Sequence, residues 1–237
     1  MSAQAEDGAT CGRAENAFID SFEVPPFGCL CTIVGDPETK EALVVDPGGD
    51  VDVILAKVEA QGFTLKRALI THGHLDHVLG ATELKAKRPS LDILMHQDDL
   101  SIYENVAGQC EDFGVPAPRG ALPLPKPDAF VADGDVIQWA PSYKVRCIHC
   151  PGHTPGSTSY MFDELNLLCS GDTLFRGGIG RTSWDGMPSL EGTSDSGQIM
   201  GSIKYKLMTL PPETHVVAGH GDPTTIGRER SSNPYVR

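Results

Sequence analysis

The segment Thr71-His72-Gly73-His74-Leu75-Asp76-His77 places three histidines and one aspartate directly after the apolar residues Ala68–Ile70. Imidazole and carboxylate groups at this density are what a borderline divalent cation such as zinc accepts as ligands. The side chains of so short a loop cannot all point at one centre, whereas two adjacent metal ions can share them. The segment therefore predicts a two-metal site, and it requires further ligands elsewhere in the chain.

Three later segments supply such ligands, and each is a glycine-rich turn that follows a strand-like apolar run. The candidate ligands are His153, Asp172 and His220, which follow the runs Tyr143–Ile148, Leu165–Ser170 and His215–Ala218. Glycine beside each ligand lets the backbone turn sharply at little steric cost. Ligands just beyond strand ends converge at one edge of a sheet while the strands stay rigid. The pattern favours a metal site over a packed core.

The order His-x-His-x-Asp-His, then a lone His, a lone Asp and a lone His, resembles the metallo-β-lactamase superfamily. The resemblance extends from about Ala17 to the end of the chain. It implies a four-layer αβ/βα sandwich with a two-metal site at the edges of the sheets. Within the superfamily, the compact hydrolases related to hydroxyacylglutathione hydrolase (glyoxalase II) are the most similar, through the segments Gly171–Phe175, Gly180–Thr182 and Gly219–Gly227.

The same resemblance implies a role for each candidate residue. One divalent metal ion would be held by His72, His74 and His153, a second by Asp76, His77 and His220, and both by Asp172. Asp76 and Asp172 would be the catalytic carboxylates. The metals, which are zinc, iron or manganese, would supply a bridging hydroxide. Arg176 and Arg181 follow Asp172 closely and are candidates for binding a substrate carboxylate, although a solvated or ion-paired arginine is an equal alternative for each.

The reaction that the resemblance implies is hydrolysis of an acyl-thioester, a small-molecule substrate, most specifically S-2-hydroxyacylglutathione of the S-lactoylglutathione type. A sulfur dioxygenase that uses one iron to act on glutathione persulfide has the same ligands and is the alternative. A non-catalytic metal-binding protein would be indicated by a missing ligand, and every ligand is present. A two-zinc β-lactamase of the common type would carry cysteine at Asp172, and a flavo-diiron protein an acidic residue at His74.

Two departures from the relatives bear on the substrate. The segment after His220 is short, whereas hydroxyacylglutathione hydrolases with a helical glutathione-binding tail need a much longer one. We therefore expect only a modest preference for glutathione over other thiol carriers. Relatives also usually continue Gly-Arg-Thr with aspartate, whereas Ser183-Trp184-Asp185 follows Thr182 here. The resemblance therefore assigns no role to residues 183–185, where the sequence departs from the relatives.

Length and composition exclude several classes of protein. The chain has 237 residues, of which 40% are hydrophobic and 22% charged, enough for one large soluble domain with a full core. The formal net charge of −13 argues against a nucleic-acid partner, which needs a basic face. No apolar run approaches the roughly 20 residues of a membrane helix. The seven cysteines are scattered and predict free thiols in a reducing compartment, and hence a cytoplasmic location.

The hydrophobic pattern predicts two mixed sheets packed face to face with helices outside. Helices are predicted over Val51–Gln61, Val78–Lys87, Asp98–Ala107 and within Ser189–Leu210. The proline-rich segment Gly114–Asp128 is predicted to be a loop at the entrance of the site.

Three smaller features complete the interpretation. Residues 1–16 are polar and predict a disordered tail, which leaves residues 17–237 as one metallo-β-lactamase-like domain. The pairs Cys29/Cys31 and Cys147/Cys150 are interpreted as free thiols on ordinary strands. Asp46 is either a hydrogen-bond partner of a ligand histidine or a simple turn carboxylate.

Overall fold

The computed structural model describes residues 17–236. The tail predicted over residues 1–16 lies outside them. Two six-stranded sheets, a two-stranded hairpin and the helices around them make up the described chain. No helix within residues 17–236 combines the length and the apolar character that crossing a bilayer requires.

The first sheet comes from the N-terminal half of the chain, and its strands lie side by side in chain order. They are β1 Phe18–Val24, β2 Cys29–Asp36, β3 Glu41–Val45, β4 Thr64–Leu69, β5 Asp92–His96 and β6 Ala129–Val131. The pairs β1–β2 and β2–β3 are antiparallel, whereas β3, β4, β5 and β6 are parallel. The carboxyl ends of β3, β4 and β5 therefore meet at one edge of the sheet.

The second sheet has the spatial order β14-β13-β10-β9-β8-β7. Its strands are β7 Val136–Ala140, β8 Tyr143–His149, β9 Thr158–Phe162, β10 Leu167–Gly171, β13 His215–Ala218 and β14 Thr224–Thr225, and the short β11 Leu174–Phe175 pairs with β12 Gly178–Ile179. The strands β8 and β10 are both antiparallel to β9, and β10 is parallel to β13. The ends of β8, β10 and β13 consequently share one edge.

Helices cover the outer face of each sheet. They are α1 Val51–Ala60, α2 Leu75–Val78, α3 Ala81–Lys87, α4 Leu100–Glu104, α5 Val106–Phe113, α6 Ser196–Tyr205 and α7 Ile226–Ser232. Alternate strand residues face opposite sides: Leu43 packs between the sheets, whereas Val44 packs with Ile54 of α1. In the second sheet Leu168 packs outward with Ile199 of α6. The four-layer αβ/βα sandwich predicted from the sequence is confirmed.

Two predicted helices are divided in the structure. The helix expected over Val78–Lys87 is interrupted at Gly80, whose N–H donates to the carbonyl oxygen of Pro47 at 3.1 Å. A Cβ at Gly80 would lie 2.3 Å from that oxygen, so only glycine permits this contact. The helix expected over Asp98–Ala107 is divided at Asn105, and a second helix runs on to Phe113. The division occurs where the side-chain N–H of Gln109 donates a hydrogen bond to the carbonyl oxygen of Ile102 at 2.8 Å. An unbroken helix would give that oxygen to the N–H four residues on.

The segment Gly114–Asp128 contains no helix or strand, as predicted. The prediction that it lies at the entrance of the site is wrong. Its residues Val115 and Ala121 instead line a separate cavity together with Val51 and Leu79, on the helical side of the first sheet. The segment packs there because its apolar residues extend the core cluster beneath α1 and α3.

Candidate metal centre

Loops at the carboxyl ends of four strands bring the seven candidate ligands together. β4 leads to the loop and the first turn of α2, and β8, β10 and β13 each lead to one further loop. Together these supply His72, His74, Asp76, His77, His153, Asp172 and His220. Five of them are buried, and the other two, Asp172 and His220, are half-buried.

The first group consists of three histidine nitrogens that face one another. His74 Nδ1 lies 3.0 Å from His72 Nε2 and 3.0 Å from His153 Nε2. Burial lowers the pKa of His72 and His74 well below the ordinary value, and the neighbouring histidines lower it further. Neutral imidazoles with converging lone pairs are the form that binds a metal ion.

The second group joins Asp76, His77 and His220. His220 Nε2 lies 3.1 Å from Asp76 Oδ2, and His77 Nε2 lies 3.7 Å from the same oxygen. Burial alone would raise the pKa of Asp76, but His77 and His220 together hold it below its usual range. The carboxylate is thus ionised and available as a ligand.

Asp172 contacts both groups. Its Oδ1 lies 3.5 Å from His77 Nε2, and its Oδ2 lies 3.6 Å from His153 Nε2 and 3.7 Å from His220 Nε2. The backbone of β13 approaches closely enough that a Cβ at Gly219 would lie 2.0 Å from Asp172 Oδ1. Glycine at this position is therefore a condition for the placement of the Asp172 carboxylate between the two groups.

The donor set fits two divalent metal ions. His77 Nε2 and Asp172 Oδ1 are buried and have no hydrogen-bond partner within residues 17–236. Buried polar atoms left in this state cost free energy, which metal ligation would recover. The cluster of imidazoles and carboxylates matches the preferences of zinc, iron and manganese, and its two overlapping groups match a dinuclear site.

In three of these histidines, the ring nitrogen that faces away from the cluster has a fixed hydrogen-bond partner. His77 Nδ1 lies 2.9 Å from Asp46 Oδ2, and His153 Nδ1 donates to the carbonyl oxygen of Arg181 at 2.8 Å. His72 Nδ1 lies 3.0 Å from Thr71 Oγ1. Such contacts fix the orientation of the ring and select the nitrogen that faces the metal. Of the two interpretations of Asp46, the structure favours the partner of a ligand histidine.

Asp99 is a buried carboxylate that the sequence analysis did not identify. It accepts hydrogen bonds from the backbone N–H of Gly73 at 2.8 Å, from that of Gly156 at 2.6 Å and from Thr154 Oγ1 at 2.7 Å. Gly73 belongs to the β4 loop, whereas Thr154 and Gly156 belong to the β8 loop. Asp99 therefore ties two ligand loops together. No motif in the sequence marks it, because its partners are backbone groups distant along the chain.

The cysteine pairs differ from one another. Cys147 and Cys150 are buried free thiols whose pKa burial raises to about 12, which argues against a metal or redox role. Cys29 is also free, but its Sγ lies 3.4 Å from His77 Nδ1, so it is a neighbour of the metal centre rather than an ordinary strand residue.

A cavity of about 370 Å³ opens over the two groups. Four aromatic side chains line this cavity: Phe27, Phe113, Phe175 and Trp184. Among the described residues that line it, Arg181 is the only one with a positively charged side chain of the lysine or arginine type. Arg176 is not brought to this cavity. Its guanidinium pairs with Asp222 at 2.7 Å on the surface, with 41% of the side chain exposed.

The fold and this cluster define a class of metal-dependent enzyme, and comparison with known families agrees. The model of the metallo-beta-lactamase superfamily matches residues 24–220, and the chain belongs to that superfamily. The resemblance seen in the sequence is confirmed. The hydroxyacylglutathione hydrolase GloC of Haemophilus influenzae is 34% identical over 225 residues, which cover 92% of this chain and 97% of that protein.

Two crystal structures are similar over nearly their whole length. The B3 metallo-beta-lactamase BLEG-1 superposes with a TM-score of 0.80 at 29% identity, covering 92% of this chain and 99% of the other. TTHA1623 in a di-iron-bound form superposes with a TM-score of 0.77 at 29% identity, covering 91% and 99%. The second of these holds two metal ions in the same fold.

Proposed function

We propose that the chain is a metal-dependent hydrolase of acyl-thioesters, with S-2-hydroxyacylglutathione as its leading substrate. The observation that carries the proposal is the contact of Asp172 with both groups of ligands, since hydrolysis by this route needs two metals on one carboxylate. The similarity to the hydroxyacylglutathione hydrolase of Haemophilus influenzae, along nearly all of both chains, supports the substrate class.

The proposal assigns each ligand by its neighbours. His72, His74 and His153 would hold one metal, Asp76, His77 and His220 the other, and Asp172 both. Two bound metals would lower the pKa of a shared water and polarise a carbonyl oxygen, so that a nucleophile exists at neutral pH. The protein then needs no serine or cysteine nucleophile, and no acyl-enzyme forms.

The side chains around the ligands have separate tasks in this scheme. Asp46 and the carbonyl oxygen of Arg181 hold the rings of His77 and His153 in position. Asp76 and Asp172 would be the two carboxylate ligands, whereas Asp99 lies behind the loops, where it accepts the backbone N–H of Gly73. Arg181 is proposed to pair with one carboxylate of the thiol carrier. Arg176 is removed from the proposed substrate contacts because it pairs with Asp222.

The test compares two glutathione derivatives, each with and without air. Purified protein supplied with zinc, iron or manganese should cleave S-D-lactoylglutathione at the same rate in the presence and absence of oxygen. Oxygen uptake with glutathione persulfide and no cleavage of the thioester would instead assign the chain as a sulfur dioxygenase. A chromogenic β-lactam is the third substrate, because BLEG-1 is a metallo-beta-lactamase. Hydrolysis of the β-lactam alone would also contradict the proposal.

A further inference from the structure

The cavity over the metal centre has an aromatic wall that thioester hydrolysis does not itself require. The ring centroids of Phe27 and Phe113 lie 5.5 Å apart, and those of Phe113 and Trp184 lie 6.3 Å apart. The indole of Trp184 in turn lies 4.9 Å from the ring of His74. A row of aromatic rings therefore leads from the protein surface to a metal ligand.

This wall leaves apolar surface in contact with water. Phe27 is 44% exposed, and Phe113, Phe175 and Trp184 are half-buried. Exposed aromatic area costs hydration free energy that a bound apolar group would recover. Apolar surface gathered around a polar reaction centre is the usual composition of a small-molecule site. The wall is therefore suited to contact with the substrate.

Trp184 is in ring contact with two of the candidate metal ligands. Its ring meets those of His74 and His153 at 80° and 60°, with centroid distances of 4.9 and 5.6 Å. A substrate carbonyl placed over these two histidines would bring its neighbouring substituents next to the indole. The guanidinium of Arg181 lies 4.9 Å from the centroid of the same ring. An apolar surface and a cation thus adjoin at Trp184.

We infer that the acyl group of the substrate is aromatic and that Trp184 is the residue that selects it. The inference rests on the proposed thioester hydrolysis. A lactoyl group offers the wall only one methyl, whereas a mandeloyl group offers a phenyl ring that packs edge-to-face or offset against indole. The glutathione part carries several ionised groups, which suit Arg181 and the solvent rather than the rings of Phe113 and Trp184.

The test compares S-mandeloylglutathione with S-D-lactoylglutathione, which share the thiol carrier and the 2-hydroxy group. The wild-type protein should have a kcat/KM about tenfold higher for the mandeloyl thioester, a ratio of the size that apolar pockets give. Trp184→Ala should lower the mandeloyl value about tenfold and the lactoyl value less than about threefold. Trp184→Phe should keep most of the preference, because it keeps a ring.

Controls separate selection of the acyl group from damage to the site. Metal content is measured for every variant, since Trp184 touches two ligand histidines. Phe113→Leu removes part of the same wall with no ring contact to a ligand, and it should also reduce the mandeloyl preference. Tyr205→Ala, 71% exposed on α6, is the matched distant control and should change neither value.

The outcomes are distinguishable. A wild-type preference for the lactoyl thioester, or an equal loss with both thioesters in Phe113→Leu and Trp184→Ala, would overturn the inference while leaving the hydrolysis intact. If the wild type with bound metal cleaves neither thioester, the proposed function fails and this inference fails with it.

Discussion

At the scale of single residues, the decisive side chain is Asp172, because it contacts both groups of candidate ligands. Asp172→Ala should lose both metal ions and all activity, whereas His220→Ala removes one ligand from one group and should retain about one metal. Elemental analysis of the purified variants measures this directly. Asp92→Ala, an exposed aspartate on β5, is the matched control and should keep the wild-type content. Wild-type metal content in Asp172→Ala would refute the bridging assignment.

The two arginines near Asp172 should differ in kinetics. Arg181 lines the cavity and Arg176 is paired with Asp222 outside it. Arg181→Ala should raise KM for S-D-lactoylglutathione about tenfold with a smaller change in kcat, the cost of one charged hydrogen bond to substrate. Arg176→Ala should leave both constants within about twofold, because an exposed ion pair contributes little. The reverse order of effects would show that the substrate carboxylate lies on the other side of the centre.

At the scale of elements, Asp99 joins the β4 and β8 loops, and its ionisation should be visible in stability. Burial raises the pKa of Asp99 from 3.8 to about 6. Because the folded state holds this proton more tightly than the unfolded state, the contribution of Asp99 to the free energy of unfolding falls as pH rises from about 4 to about 6. The difference in the pKa of Asp99 between the folded and unfolded states corresponds to a fall in the free energy of unfolding on the order of 2–3 kcal/mol.

Urea denaturation of wild type and Asp99→Asn from about pH 4 to pH 7 tests this. Asparagine carries no titrating proton, so the wild-type advantage over the variant should shrink as pH rises. Loss of metal at low pH affects both proteins and cancels in the comparison. A difference between the two that does not change with pH would mean that Asp99 keeps an ordinary pKa.

The turn after β13 is the second element with a specific prediction. Gly219→Ala would place a Cβ 2.0 Å from Asp172 Oδ1, so the carboxylate must move. We expect a loss of metal affinity of about 100-fold and a matching loss of activity. Gly201→Ala on α6 has open space around it and should be neutral or stabilising by about 0.5–1 kcal/mol. Unchanged zinc affinity in Gly219→Ala would contradict the close approach.

At the scale of the whole molecule, the sequence reveals the fold and the cluster but not what surrounds the cluster. His72, His74, Asp76 and His77 are recognisable because ligands are dense in one short segment. Asp99 is not recognisable, since its backbone partners Gly73 and Gly156 lie 26 and 57 positions away along the chain.

The substrate-facing residues are hidden from the sequence for a related reason. Arg176 lies in the turn of the β11–β12 hairpin and Arg181 follows the hairpin, and only the packing of that hairpin decides which of them lines the cavity. The position of Trp184 depends likewise on a loop without regular structure. Local sequence patterns predict helices, strands and motifs, whereas the direction in which a side chain points depends on tertiary contacts.

The central claim is that two metals on one shared carboxylate hydrolyse a thioester, and a metal titration tests it most directly. Metal-free protein is titrated with zinc, and separately with iron, while hydrolysis of S-D-lactoylglutathione is followed without oxygen. We expect activity to rise to a plateau at two metal ions per chain, with no oxygen requirement for the rate. A plateau at one metal ion per chain, or cleavage that appears only when oxygen is admitted, would contradict it.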